Sequence, residues 1–198
     1  MDRQRIVIVA NGFFPLPIPM GHITAAIRQH GFEPEIIPFD LRNKWDAPTY
    51  ARAIARHVRA AYHRSGRKVH VIGTSMGGIA GLYAILFLDI SQMVQTFVAA
   101  GAPFDGSPVA AKFSRVAPLA GCLAAGQLTK GSWVLHAIKV TPLPAGPRYI
   151  SLGGLSDRTC PIPTHELAGA ENHLWSFSHR DIMFKSWMHG MIADLLLD

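Results

Sequence analysis

The sequence predicts an α/β protein, built as a doubly wound, mostly parallel sheet of about six strands. Two observations carry this prediction. Short apolar runs typical of β-strands alternate with stretches of helical periodicity, a pattern that produces parallel strands joined by crossover helices. The chain also has 198 residues, of which 49% are hydrophobic and 16% charged. That composition suits a single domain, residues 1–198, whose sheet is covered on both faces.

The six predicted strands are short, apolar and β-rich: Ile6–Ala10, Glu35–Phe39, Lys68–Gly73, Thr96–Ala100, Arg148–Gly153 and His173–Phe177. Three helices are predicted between the first four strands: Gly21–His30, Thr49–Arg64 and Met76–Leu88. Gly31 and Gly66 follow the first two helices, where glycine often ends a helix. A final helix over 181–197 is expected to bury one stripe of side chains: Ile182, Trp187, Ile192, Leu195 and Leu196.

One connection is much longer than the rest. Residues 102–147 separate the fourth and fifth predicted strands and contain six prolines, with short helical pieces at 107–116 and 132–138. Long connections inside compact domains usually serve a function. We therefore expect a small, helical, cap-like insertion at 102–147 within the single domain.

The net charge of +6 raises the question of an acidic partner. The densest basic stretch, Arg52–Lys68, places its basic residues at helical spacing opposite apolar ones, which predicts the solvent-exposed face of an amphipathic helix. Transient contact with an anionic membrane surface is the alternative. No recognition motif or interleaved aromatic residues accompany the charge, so we expect no nucleic-acid partner.

The N-terminal charged residues precede only five apolar residues, too few for a signal peptide, and no segment approaches the length of a membrane span. These features predict a cytoplasmic protein. Cys122 and Cys160 predict two free thiols rather than a disulfide framework. The spacing of histidines and cysteines matches no zinc motif, so no metal is expected. The chemistry predicted below needs no organic cofactor either.

A Gly-x-Ser-x-Gly motif, formed by Gly73, Ser75 and Gly77, lies between the third predicted strand and the third predicted helix. A serine at such a turn adopts a strained backbone that exposes its hydroxyl above the sheet. Side chains two residues before and after the serine would collide, which explains the glycines. The helix that follows offers free N–H groups near a developing negative charge. The motif therefore predicts a nucleophilic serine.

Around this motif the chain resembles the α/β-hydrolase superfamily, and within it the lipase-like esterases, over nearly its whole length. Residues 101–108 are similar to the family's Gly-Thr-Pro-x-x-Gly-Ser segment, with Ala102 replacing threonine. Asn11-Gly12-Phe13 is similar to the family's His-Gly-x, with asparagine replacing histidine. The resemblance implies a minimal α/β-hydrolase fold. It also implies an oxyanion hole formed by the main-chain N–H groups of Phe13 and Met76.

The family's chain order of Ser, Asp and His then selects an acid and a base. Asp157 follows the fifth predicted strand and is the predicted acid, with Asp105, after the fourth strand, as the alternative. His179 follows the sixth predicted strand and is the predicted base. Other histidines in this part of the chain are less suitably placed, at the start of a strand, on a connecting loop or inside a helix: His173, His165 and His189.

Two apolar stretches are expected to flank the serine, residues 13–20 and the 102–147 connection, which forms a small cap or lid in lipase-like relatives. Phe14, Leu16 and Phe104 are the predicted substrate-binding residues. Together they indicate a small-molecule or lipid ester with an aliphatic acyl chain, unless both stretches simply complete the core. An acyltransferase or thioesterase would use the same residues, and a catalytically inert binding protein would keep only the fold.

Overall fold

The computed structural model describes residues 5–12, 21–37, 46–114 and 124–197. Its centre is one sheet of six strands in the order β2-β1-β3-β4-β5-β6, with parallel pairing at every interface. The strands are β1 Arg5–Ala10, β2 Phe32–Ile37, β3 Val69–Thr74, β4 Val94–Ala100, β5 Arg148–Gly154 and β6 Glu171–Trp175. The predicted fold class is confirmed.

Eight α-helices are described in these parts of the chain: α1 Gly21–Gln29, α2 Ala47–Ser65, α3 Met76–Phe87, α4 Pro108–Phe113, α5 Ala124–Gln127, α6 Trp133–Val140, α7 Asp181–Phe184 and α8 Ser186–Asp194. A short 3-10 helix, Ser91–Met93, precedes β4. Helices α4, α5 and α6 belong to the long connection between β4 and β5. None of the helices described has both the length and the apolar character needed to cross a bilayer.

The helices cover both faces of the sheet and create two cores. On one face, α2, α3 and α6 contribute residues such as Ile54, Ile79 and Leu135. On the other face, α1, α7 and α8 pack against Val9, Val98 and their neighbours. A strand covered on both sides is buried along its length, and every residue of β3 is accordingly buried, the polar His70 and Thr74 included.

Helix α2 illustrates how local sequence fixes an element. Asp46 accepts a hydrogen bond from Thr49 N at its start, and Gly66 ends it with a φ of 64°. Gly31, with a φ of 78°, occupies the equivalent place after α1. Both predicted glycine caps are thus confirmed. The apolar side of α2 is buried and its arginines line the outer side, as expected. Contact of that side with anionic lipid stays a prediction.

Three predicted boundaries are wrong. Strand β2 begins earlier than predicted because Pro34, which cannot donate to a ladder, is tolerated in this edge strand. Strand β6 ends at Trp175, since the Phe177 N–H turns back to donate to the Trp175 carbonyl. The last helix breaks at Lys185, whose φ of −102° and ψ of 119° are extended. The break changes the helical phase, so Trp187 is 46% exposed instead of buried.

His70, the second residue of β3, is expected to make stability depend on pH. Its side chain is buried and meets the ring of Phe32 edge-on, with centroids 5.1 Å apart. Burial, and then the positive charge of Arg5, lower the pKa of His70 from 6.5 to about 4. The folded state disfavours the protonated ring, so the neutral His70 ring contributes its full share of the unfolding free energy above pH 6.5. It is lost as the pH falls from 6.5 towards 4.

We expect His70 alone to remove on the order of 2–3 kcal/mol of unfolding free energy between pH 7 and pH 4.5. The substitution His70→Phe keeps a ring against Phe32 but cannot titrate. Urea unfolding of both proteins at the two pH values measures the difference. The variant should lose less stability than the wild type, and equal losses would contradict the assignment.

Candidate active site

The predicted catalytic residues all lie at one edge of the sheet. Ser75 directly follows β3, Asp157 lies three residues beyond β5, and His179 lies four residues beyond β6. Since all six strands are parallel, their carboxyl ends meet at this edge, where open α/β sheets bind ligands.

Ser75 has the conformation that the motif predicts. Its φ of 51° and ψ of −120° lie outside the common regions for a residue with a side chain. Such strain persists only where the surrounding structure enforces it. Ser75 is also the one residue between Val69 and Leu82 that is not buried. The turn therefore exposes the serine from an otherwise enclosed strand and helix.

The two motif glycines are required by close backbone contacts. A Cβ on Gly73 would lie 2.6 Å from both the Gly77 carbonyl oxygen and Gly78 Cα. A Cβ on Gly77 would overlap the carbonyl oxygen of Ala10, at the end of β1. The glycines thus allow α3 to begin directly against β1 and β3.

Asp157 and His179 form a hydrogen-bonded pair. His179 Nδ1 donates to Asp157 Oδ2 at 2.7 Å, with the carboxylate side chain wholly buried and the imidazole 13% exposed. An ionised carboxylate can only accept, so the shared proton is assigned to Nδ1. That tautomer leaves Nε2 free to accept a proton.

The second oxygen of Asp157 is held by its own turn. Oδ1 accepts hydrogen bonds from Thr159 N and Cys160 N, each at 2.8 Å. This Asx-type turn fixes the orientation of the carboxylate independently of its bond to the imidazole. Residues 155–165, here called the acid loop, are joined to the segment after β4 by two further bonds. Asp105 N donates to Thr164 O, and Ser107 Oγ donates to Thr159 O.

Ser75 and the Asp157–His179 pair lie on either side of the end of β4. Ser75 N donates to Ala100 O at 2.9 Å. The next residue, Gly101, has a φ of 59°, and a Cβ there would lie 2.6 Å from Ile182 Cδ1, 3.2 Å from Asp157 Oδ2 and 3.3 Å from His179 Nδ1. Glycine at 101 therefore makes room for Ile182 first, and also for the acid and the base beside the serine.

The loop that carries His179 is also fixed by a side chain that the sequence analysis did not single out. Asp181 Oδ2 accepts from Ser178 N at 2.7 Å and from Ser178 Oγ at 2.8 Å. These two bonds, the backbone one first, hold the pKa of the Asp181 carboxyl below its usual range. The Asp181 N–H also donates to the Ser178 carbonyl at 2.9 Å, which closes the turn. The Ser-x-x-Asp spacing before a helix is a capping signal that could have revealed it.

The predicted oxyanion hole falls partly outside the described residues. Met76 is the first residue of α3, so its N–H has no partner within the helix. Gly12 lies against the serine, because a Cβ on it would be 2.7 Å from Ser75 Cβ. Phe13, Phe14 and Leu16 lie outside the part of the chain that the structure describes.

The alternative acid and bases lie elsewhere. Asp105 forms ion pairs with Lys130 at 2.8 Å and Lys139 at 3.1 Å, which lower the pKa of its carboxyl. Three other histidines have different surroundings. His173 lies within β6 near Glu171, His165 is buried against Gly153, and His189 bonds to a carbonyl in α7.

Cys160 completes a group of three potential metal ligands with Asp157 and His179, the one such group in the described ranges. The group fits a metal poorly. Both carboxylate oxygens already accept hydrogen bonds. Burial, and then the charge of Asp157, raise the pKa of the Cys160 thiol well above its usual value, which disfavours the thiolate that a metal needs. Cys122 lies outside the described residues.

Phe104 is buried and lines a cleft of about 640 Å³. Its other walls come from residues 138–143, at and after the end of α6, and from residues between 163 and 172; Ile138, Leu143 and Leu167 are among them. Ser75 is not among the described residues that line this cleft. The cleft has the volume of a small-molecule site, and its walls combine apolar side chains with the charged groups of Asp105, Lys139 and Glu166.

Comparisons with known proteins agree with this architecture. A family model described as Lecithin:cholesterol acyltransferase matches residues 22–117. No curated protein sequence gives a significant match.

Solved structures are similar to the whole chain. The mature form of Bacillus licheniformis lipase BlEst2 has a TM-score of 0.78 at 16% identity, covering 100% of this chain and 91% of that one. A metagenomic carboxyl esterase has a TM-score of 0.77 at 14% identity, covering 98% and 75%. Aspergillus fumigatus lipase B has a TM-score of 0.73 at 14% identity, covering 100% and 53%. With its six parallel strands and strained serine turn, the chain thus has the α/β-hydrolase fold in its lipase-like form.

Proposed function

We propose that this protein is a serine hydrolase that cleaves carboxylic esters through Ser75, His179 and Asp157. The observation that carries the proposal is the Asp157–His179 hydrogen bond of 2.7 Å, formed beside a strained and accessible serine. A nucleophile (Ser75), a base (His179) and an acid that orients the base (Asp157) are the elements of acyl-transfer catalysis. The lipase and esterase structures with the same fold support the reaction class.

In the proposed mechanism His179 Nε2 takes the proton from Ser75 Oγ as the oxygen attacks the acyl carbon. The tetrahedral oxyanion is bound by main-chain N–H groups, with Met76 at the start of α3 as one donor. His179 then passes its proton to the leaving alcohol, and the acyl-enzyme forms. Water then attacks the acyl carbon of the acyl-enzyme while His179 takes its proton. The acid is released as His179 returns that proton to Ser75 Oγ. Asp157 stays ionised throughout and holds the imidazole in the required tautomer.

Labelling with a fluorophosphonate probe tests the proposal. The serine oxygen displaces fluoride from phosphorus only where a base activates it. We expect Ser75 to be labelled in the wild type, and both labelling and hydrolysis of nitrophenyl esters to disappear in Ser75→Ala. Ser91→Ala, which removes a serine of the short 3-10 helix before β4, should still be labelled. A wild type that neither reacts nor hydrolyses esters would instead be an inert binding protein.

We further propose an aliphatic acyl substrate, supported by the apolar composition of residues 13–20, which directly follow the Gly12 that packs on Ser75. A series of nitrophenyl esters measures this preference. We expect kcat/KM to rise from acetate to medium-length chains, because each buried CH₂ contributes roughly 0.8 kcal/mol. A flat or falling profile would contradict it.

Acyl transfer is the second candidate, favoured by the match of residues 22–117 to an acyltransferase family model. The same acyl-enzyme would then be cleaved by an alcohol instead of water. Product analysis with an added alcohol separates the two. Formation of a new ester in preference to free acid would establish a transferase.

A further inference from the structure

The end of β1 is tied to the nucleophile by the residue that precedes it. Gly12 N donates to Thr74 Oγ1 at 3.0 Å, and Thr74 is the variable residue between Gly73 and Ser75. The threonine side chain is buried, with 4% exposed. Its hydroxyl therefore links the serine turn to the loop that approaches it from β1.

A second hydroxyl holds the same loop from another direction. Tyr50, a fully buried residue of α2, has its hydroxyl 3.0 Å from Asn11 O and 2.8 Å from Ile37 O, within donating distance of both. These carbonyls lie just after β1 and at the end of β2. The tyrosine thus joins the carboxyl ends of two neighbouring strands. Both ties reach main-chain atoms, so neither depends on the side chain at position 11.

We propose that Thr74 and Tyr50 are positioning residues for the oxyanion loop, here Asn11 and Gly12, which lead to the predicted donor Phe13. This inference rests on the proposed function. The N–H of Phe13 belongs to the peptide unit that begins at Gly12. Close packing of Gly12 on Ser75 Cβ prevents the loop from moving closer, while Thr74 and Tyr50 prevent it from moving away. A displacement of about 1 Å at such a donor can cost 10²-fold in rate.

Thr74→Val tests the first tie, because valine keeps the buried volume and lacks the hydroxyl. We expect kcat to fall by about 10- to 100-fold with KM changed less than about threefold, since the interaction acts on the transition state. Thr74→Ser should restore most of the rate. Tyr50→Phe should give a smaller loss, about 3- to 10-fold. Thr96→Val, at another buried threonine near the start of β4, should leave kcat unchanged.

Hydrogen exchange of the Gly12 amide gives a readout independent of chemistry. Protection of this amide should be lost in Thr74→Val and kept in Thr74→Ser and Thr96→Val. If Thr74→Val keeps both kcat and Gly12 protection, the positioning role is overturned while labelling of Ser75 still supports the hydrolase. If exchange increases but kcat does not fall, the tie is structural only and the proposal is equally overturned. Absence of labelling in the wild type overturns both proposals.

Discussion

Asp157→Asn is expected to lower kcat by about 10⁴-fold in a protein that remains folded. The reason lies in the turn around residue 157. Thr159 N and Cys160 N both need an acceptor, so the asparagine oxygen will occupy the place of Oδ1. The amide NH₂ then faces His179 Nδ1 and donates to it. The imidazole proton is forced onto Nε2, and the ring cannot accept the proton of Ser75.

Steady-state hydrolysis of nitrophenyl esters, with thermal unfolding as a check of folding, measures this effect. Asp105→Asn is the matched control, because it removes the other aspartate considered as the acid. Its lysine partners are highly exposed, and ion pairs of that kind contribute little, so we expect kcat within about threefold of the wild type. A larger loss in Asp105→Asn than in Asp157→Asn would reverse the assignment.

Gly77→Ala is expected to have the second largest effect, on folding itself. The new Cβ would overlap the Ala10 carbonyl and lie 2.9 Å from the Asn11 carbonyl oxygen. Both neighbours are backbone atoms of the sheet and cannot rotate away. We expect a loss of more than about 3 kcal/mol of unfolding free energy, or no folded protein at all.

Gly190→Ala provides the contrast. This glycine lies in α8, and a Cβ there would meet nothing within 4 Å. Because alanine has the higher helix propensity, we expect stability to rise by up to about 1 kcal/mol. Urea unfolding of the two variants beside the wild type measures both changes. Similar unfolding free energies for the two variants would show that the close contact between α3 and β1 does not require glycine at position 77.

The sequence was sufficient to predict the fold class because its signals are local. Apolar strands, glycine caps and the Gly-x-Ser-x-Gly turn each act within a few residues, and they agree with one another. The placement of Asp157 and His179 beyond their strands was predicted from the family's chain order of Ser, Asp and His, and the structure brings these two side chains together. Their roles in catalysis stay predictions.

Features decided by tertiary contacts could not be predicted. The break at Lys185 carries no proline or glycine, so the sequence reads as a continuous helix and predicts Trp187 inside. The tie between Thr74 and Gly12 joins residues 62 positions apart and depends on strand pairing. The boundary of β6 depends on how Phe177, after β6, packs against Gly154, the last residue of β5.

The thiol of Cys160 has a practical consequence. It is buried in the acid loop and protonated at neutral pH, so an alkylating reagent can reach it as a thiolate only when the loop opens. The alkylation rate at this residue, followed by mass spectrometry of the peptide that contains it, would therefore report the free energy of local opening. This rate would measure, without any substrate, how stably the acid loop holds the carboxylate of Asp157.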